Sequence, residues 1–278
     1  MEQQSFPARL HILVAKKSDQ AIIIRRGPSK HTCIIGWDRK NDIFRVSQWL
    51  KGRIYERRSD ISSLGDYWIY FAMNGKWHCN VGSWTAIARV PWLKAIAFFP
   101  KGDCWFGGGL FLDNNSYWLN GGYIDNHELY FDSYKVKRNR TYTPPNYYGG
   151  ECLTVYYNRL QRDGWKLIEW SDEVYLDSET VFEKKLYHQW ILRKICHEQA
   201  GSPPGKGCYW DEHILYNDTG KLFIYPDWEW AEWLDNAIFY AEKGCLYRVQ
   251  IEGCNQLSKP KLIHDFNDYK FEAIKAAY

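Results

Sequence analysis

No run of apolar residues in this chain approaches the ~20 that a membrane-spanning helix needs, so no membrane association is expected. The opening residues, Met1-Glu2-Gln3-Gln4-Ser5-Phe6-Pro7, carry no basic stretch followed by an apolar one. That pattern excludes a secretory leader at this point, and the cytoplasm is the expected compartment. Excess charge is also missing. A net +3 is too small for a broad nucleic-acid footprint, and nucleic acid is not an expected partner. The eight cysteines, at 33, 79, 104, 152, 196, 208, 245 and 254, include no Cys-x-x-Cys pair. Dispersed thiols without an export signal read as reduced, and the absence of dense Cys/His spacing argues against structural zinc. No segment sustains a 3.6-residue apolar period, so long amphipathic helices are not expected.

What the chain has instead is rings. Trp, Tyr and Phe make up 18% of it, with 15 Trp and 21 Tyr. Large rings with one polar edge suit sheet rims and pocket walls. They recur in short bursts with period-two alternation between Gly-, Asp- and Asn-containing turns, which is a strand-and-turn rhythm. Expected strands cover 10–14, 21–25, 32–37, 43–46, 53–56, 67–72, 85–90, 95–99, 109–112 and 116–119. Hairpins follow, pairing 153–160 with 165–170, 181–186 with 190–196, 213–216 with 221–225, and 237–241 with 245–251. Asp163-Gly164 and Thr219-Gly220 supply the positive-φ residue that tight hairpins require. The tail, 268–277, is compatible with a short helix or a closing strand. Many short strands with turns every 8–12 residues indicate an all-β sandwich, barrel or propeller.

Internal recurrence selects among these. Gly65-Asp66-Tyr67-Trp68-Ile69-Tyr70-Phe71-Ala72 parallels Leu234-Asp235-Asn236-Ala237-Ile238-Phe239-Tyr240-Ala241. A second motif, Gly followed closely by Cys, recurs around Cys104, Cys152, Cys208 and Cys245. Spacing near 40–50 residues fits one four-stranded blade per repeat. The expected fold is therefore a single-domain β-propeller over residues 1–278, with five or six four-stranded blades. Pairing of strand 10–14 with the C-terminal blade would close the ring. Ser62-Ser63-Leu64-Gly65-Asp66-Tyr67-Trp68 resembles the turn and strand of TolB-type and WD-like propeller repeats, matching at Ser62 and Gly65. Asp218-Thr219-Gly220-Lys221-Leu222-Phe223 resembles the aspartate-box turn of sialidase-type propellers. These resemblances imply a propeller fold and carry no catalytic residue with them.

Three long Gly/Pro-containing loops, 100–109, 143–152 and 201–212, combine rings with acids. The candidate ligand-binding residues are Asp103, Trp105, Tyr147, Tyr148, Glu151, Tyr209, Trp210, Asp211 and Glu212. Aromatic walls with a few acids suit a protein partner or a small polar ligand such as a glycan. A non-enzymatic binding or scaffold module is the favoured reading. The alternative is a carbohydrate-active hydrolase or lectin-like protein, in which two of the loop carboxylates would act as acid and base. Asp211 and His213 lie two apart and would share a strand face, but this is thin support for a metal site. Neither a metal nor a cofactor is expected. Cys196 and His197 would point to opposite sides of a strand, which argues against a catalytic pair. Gly107-Gly108-Gly109 precedes a strand and lacks the helix N-terminus of a phosphate loop. The basic run 134–142 reads as a solvated loop before Pro144-Pro145.

Overall fold

The computed structural model describes residues 6–27, 30–77, 81–121, 129–130, 135–148, 153–170, 178–199, 201–204, 206–254 and 256–278. The chain is all-β, with five sheets that begin one after another in chain order. Sheet one is a meander of β1 (Arg9–Val14), β2 (Gln20–Arg26), β3 (His31–Asp38) and β4 (Ile43–Lys51). Sheet two contains β5 (Arg53–Ile61), β6 (Tyr67–Met73), β7 (Ser83–Arg89) and β8 (Ala95–Lys101). A hairpin of β9 (Gly109–Phe111) and β10 (Ser116–Leu119) begins sheet three. β11 (Leu129–Tyr130) then returns to the edge of sheet two beside β8, and β12 (Lys137–Arg138) joins β10 in parallel. Sheet four is β13 (Lys166–Glu169), β14 (Ser178–Lys185), β15 (Trp190–Glu198), β16 (Tyr209–Asn217) and β17 (Leu222–Tyr225). Sheet five is β18 (Trp230–Leu234), β19 (Ala237–Glu242), β20 (Cys245–Gln250) and β21 (Lys261–Asp265). Two of the five sheets have four strands. The others have five, three and five.

Two compact units divide these elements. Unit one comprises Met1–Phe6, His11–Arg159 and Tyr269–Tyr278; unit two comprises Pro7–Leu10 and Leu160–Asp268. Within unit one, sheet two buries both faces. Trp68, Tyr70 and Ala72 of β6 join Ile22, Ile24 and Ile34 of sheet one in one cluster. The intervening Ile69 packs with Ile87, Phe111 and Tyr117, on the side of sheet three. Successive residues of a strand point to opposite faces, so a strand buried on both reads as an unbroken apolar run. β6, Tyr-Trp-Ile-Tyr-Phe-Ala-Met, is such a run.

The two parallel segments found in the sequence occupy matching places. β6 pairs with β5 and β7, and β19 with β18 and β20, so each is the second strand of its sheet. Their leading turns are tight. Gly65 has φ +79° and donates its amide to the Ser62 carbonyl at 2.9 Å, while Asp235 and Asn236 have φ +50° and +62°. Two consecutive positive-φ residues match the twist that flanking strands need.

Four expectations are corrected. Residues 153–160 are not a strand but the first eight residues of a helix, α1 (Leu153–Arg162). Leu153 to Leu160 are all buried, Thr154, Asn158 and Arg159 included, and Leu153, Tyr156, Tyr157 and Leu160 recur at helical spacing that the period-two reading passed over. The tail beyond Asp268 is neither helix nor strand. It is held to unit one by several contacts: Phe271 lies 6.1 Å from Trp49, the Ile274 carbonyl accepts from Gln48 at 3.1 Å, and the Tyr278 hydroxyl accepts from the Arg89 amide at 3.1 Å. The Gly-Cys motif does not mark equivalent places. Cys104 lies in the loop after β8, Cys208 is exposed before β16, and Cys245 opens β20. Among the described residues the fully buried thiols are Cys33 and Cys196; Cys79 and Cys152 lie outside them.

Nor does the N-terminal strand pair with the last sheet. β1 belongs to sheet one, where its ladder runs with β2. The residues at its start are instead fastened to sheet five by side chains of unit two. The Ala8 amide donates to Asn267 Oδ1 at 2.8 Å, and the Leu10 amide donates to Glu229 Oε2 at 2.9 Å. Asn267 Nδ2 in turn donates to the Lys243 carbonyl at 3.0 Å. Asn267→Ala therefore removes both an acceptor and a donor. It is expected to cost about 1–3 kcal/mol and to speed hydrogen exchange at the Ala8 amide, read by mass spectrometry, while the Ile22–Ile24 amides stay protected.

Candidate functional site

At one end of sheet two in unit one, large rings meet solvent. Met73 pairs with Ser83 and Ser83 with Lys101, so the β6–β7 turn and the loop after β8 leave the sheet together. Trp77 and Val81 are exposed on the turn, and Trp105 and Phe106 on the loop, Trp105 at 60%. Large apolar groups clustered at one place on a surface are a mark of interaction sites.

The loop backbone is fixed from below. Arg58 on β5 is completely buried, and its Nη1 donates to the Cys104 carbonyl at 2.7 Å and to that of Phe106. Its guanidinium lies 4.7 Å from the Phe71 ring centre and 5.1 Å from that of Tyr55. Charge-assisted hydrogen bonds and ring faces together offset the cost of burying a cation. Gly107 and Gly108 follow with φ +87° and +73°. A Cβ on Gly108 would sit 1.8 Å from the Arg58 carbonyl oxygen, so only glycine fits. Phe106 itself has φ +52°. A bulky side chain in that region is strained, and strain of this kind persists only where the surroundings over-determine it. The result is a rigid loop that projects two rings.

Asp103 builds this loop. Its Oδ1 accepts from the Trp105 amide at 2.9 Å and lies 3.3 Å from Lys101 Nζ, while its carbonyl accepts from the Ser83 hydroxyl. In the second expected loop, the structure separates two neighbours. Tyr147 is exposed at 63%, whereas Tyr148 is buried, edge-on to Tyr157 of α1 with ring centres 5.2 Å apart. Tyr148 is thus core, and Glu151 lies outside the described residues.

The third loop is shorter than expected. Tyr209, Trp210, Asp211 and Glu212 are the first residues of β16, in unit two, and alternate between its faces. Asp211 turns inward with His213, as their spacing required, and meets Lys194 of β15. Lys194 Nζ lies 3.6 Å from Asp211 Oδ2, 2.8 Å from His213 Nε2 and 5.0 Å from the Trp165 ring centre. His213 Nδ1 donates to the Trp228 carbonyl at 3.0 Å. With Nε2 accepting from an ammonium, the imidazole is held neutral. Glu212 faces the other way. There His197 stacks on Trp210 at 4.6 Å, with its Nε2 3.4 Å from Glu212 and its Nδ1 3.2 Å from Glu179. Tyr209 donates its hydroxyl to Glu198 at 3.3 Å. Asp211 and Glu212 leave opposite faces of one strand, so they do not form an acid/base pair. No group of three potential metal ligands clusters among the described residues. Four rings of unit two pack on one another: Tyr225, Trp228, Tyr240 and Tyr247 form a stack with successive centres 3.7, 4.0 and 5.0 Å apart.

The expected site residues therefore divide. Trp105 and Tyr147 are presented to solvent in unit one; Asp103 shapes the loop; Tyr148 and Asp211 are interior. Sequence reasoning missed Phe106, Trp77 and Val81, although Phe106 abuts the Gly107-Gly108-Gly109 run that marked the loop. Arg58 left no trace, because nothing in a sequence distinguishes a buried arginine from the solvated Arg53 beside it. The basic run is partly strand, since Lys137 and Arg138 form β12 and Val136 is buried.

Comparison with known proteins adds little. No protein-family model matches the chain, and no curated protein does. Among solved structures, an uncharacterized protein from Listeria monocytogenes is similar at 10% identity and TM-score 0.26, over 94% of this chain and 67% of its own. The β-propeller domain of the Trilobed protease from Pyrococcus furiosus is similar at 11% identity and TM-score 0.30, over 95% and 100%. Prolyl oligopeptidase B from Galerina marginata is similar at 10% and 0.23, over 93% of this chain and 34% of its own. At such values the observed strand pairing, not the likeness, describes the fold.

The buried cluster in unit two makes stability depend on acid. Burial, and next the Lys194 ammonium, push the His213 pKa well below its ordinary value. As pH falls through ~6.5 the unfolded chain takes up a proton that native His213 refuses, so stability falls by up to about 1.4 kcal/mol per pH unit. The loss levels off once native His213 is protonated. Urea unfolding between pH 8 and pH 5 is expected to show this slope, and His213→Asn to reduce it.

Proposed function

We propose that the protein is a non-enzymatic binding module that engages a protein partner through the aromatic end of sheet two. The reading rests on one observation above all: Trp105 and Phe106 are exposed on a loop whose backbone Arg58, Gly107 and Gly108 hold rigid. Aromatic side chains that lose little freedom on binding are the usual anchors of interfaces. Exposed Trp77, beside them at the same sheet end, enlarges the patch. A succession of sheets in chain order is the order of propeller blades, and their arrangement as one ring in one domain is part of the proposal. The hydrolase alternative loses support where its acids are engaged, as Asp103 is by its turn and Asp211 by Lys194.

A displayed peptide library selected on the wild-type protein provides the test. Selected peptides are expected to lose about 30-fold or more in affinity for Trp105→Ala/Phe106→Ala, in keeping with hot-spot truncation of ~2 kcal/mol. The melting temperature should hold, since both side chains are exposed. Selected peptides that bind the double variant as well as wild type would refute the assignment.

A further inference from the structure

In unit two, β17 ends sheet four on one side, and among the described residues no further strand lies beside it. Its sequence, Leu222-Phe223-Ile224-Tyr225, carries no charge and favours extended backbone. Leu222 is 60% exposed and Ile224 62%. An unpaired strand edge with apolar side chains is a template for another strand.

The ladder decides which backbone groups are open. Asn217 donates its amide to the Lys221 carbonyl at 3.2 Å, which makes these two a hydrogen-bonded pair. Bonded and non-bonded pairs alternate along an antiparallel ladder, so Phe223 and Tyr225 turn their backbone groups to Leu215 and His213 of β16. The amides and carbonyls of Leu222 and Ile224 therefore point away from the sheet. Their side chains share one face with Tyr216 and Ile214, the residues opposite them.

This edge complements itself. A second copy's β17, laid antiparallel with the two-fold axis at Phe223, sets Leu222 opposite Ile224 of that copy and Ile224 opposite its Leu222. Each such pair exchanges both of its open backbone hydrogen bonds and brings two exposed aliphatic side chains together. An axis at Ile224 would instead set Leu222 opposite Pro226, which has no amide to donate. Charge favours the same arrangement. Exposed Lys221, just before β17, has no ion pair among the described residues. Past the strand's other end, Asp227 and Glu242 share Lys243 at 3.7 and 3.4 Å, a group that is net acidic. Antiparallel pairing brings Lys221 of each copy toward the acidic end of the other, a complementary placement. We propose that a second copy of this chain docks here, β17 against β17, joining the two copies of sheet four into one sheet.

Sedimentation velocity over a concentration series tests the assignment. The contact is short, so the expected dimer is weak, half-formed at roughly 10–100 µM. Ile224→Lys enters a symmetric contact twice and is expected to raise that concentration at least about 30-fold. Ile224 is exposed, and an unchanged melting temperature will show that the variant is folded. In hydrogen exchange followed by NMR, the Leu222 and Ile224 amides are expected to slow as the wild-type concentration rises. The Phe223 and Tyr225 amides, already bonded to β16, should not change. Three results would each overturn the proposal. One is a protein that stays monomeric to about 500 µM, which would leave the edge to a strand of another protein. The others are a dimer that Ile224→Lys leaves intact, and one whose Leu222 and Ile224 amides exchange as fast as in the monomer. The Trp105→Ala/Phe106→Ala variant should dimerise as wild type does, which separates this edge from the aromatic end of sheet two.

Discussion

Because sheet two buries side chains on both faces, what its strands can offer to solvent comes from their ends and from the turns that join them. Trp68, Tyr70 and Ala72 are spent on one side and Ile69 on the other. A sheet committed in this way is stiff, since close-packed interiors resist small displacements. It can therefore hold turns at either end in fixed geometry. At one end the fixed turns carry exposed rings, and at the other they carry the carboxylates of Asp66 and Asp113. The chemistry of the two ends differs because the local residues differ, while the rigidity they share has one source.

Arg58 shows how interior and surface are coupled. Burying its guanidinium between Tyr55 and Phe71 would be costly without acceptors, and the acceptors it finds are the carbonyls of the loop it supports. The loop in turn tolerates a strained Phe106 because Arg58, Gly107 and Gly108 leave it no alternative path. Core packing, backbone strain and ring exposure are thus consequences of one arrangement. Unit two uses buried charge to another end. Lys194 unites Asp211, His213 and the Trp165 ring, and the cluster stabilises the packing while His213 stays neutral.

Rings are also divided by role. Tyr225, Trp228, Tyr240 and Tyr247 stack on one another, and Tyr156 lies near the guanidinium groups of Arg57 and Arg159 at 4.7 and 5.2 Å. These are packing devices. The composition that first draws attention to the chain is thus mostly structural, and only a minority of its aromatic side chains, Trp105 and Tyr147 among them, are held out to solvent.

The strand rhythm, the hairpin turn at Gly220, and the correspondence of β6 with β19 are legible in the amino-acid order, because alternation and positive-φ residues act over a few neighbours. So is the shared face of Asp211 and His213, which follows from a two-residue step. Gly164, expected in a hairpin, instead follows helix α1. Helix α1 has its apolar spacing in Leu153, Tyr156, Tyr157 and Leu160, but the run Val155-Tyr156-Tyr157 has strand preference, and the two signals conflict within one short segment. The separation of exposed Tyr147 from buried Tyr148 was settled by packing against Tyr157. Arg58 and Lys194 became interior only when distant segments closed on one another. Local order determines which elements form; burial and charge pairing depend on contacts across the folded chain, and these no short stretch of sequence contains.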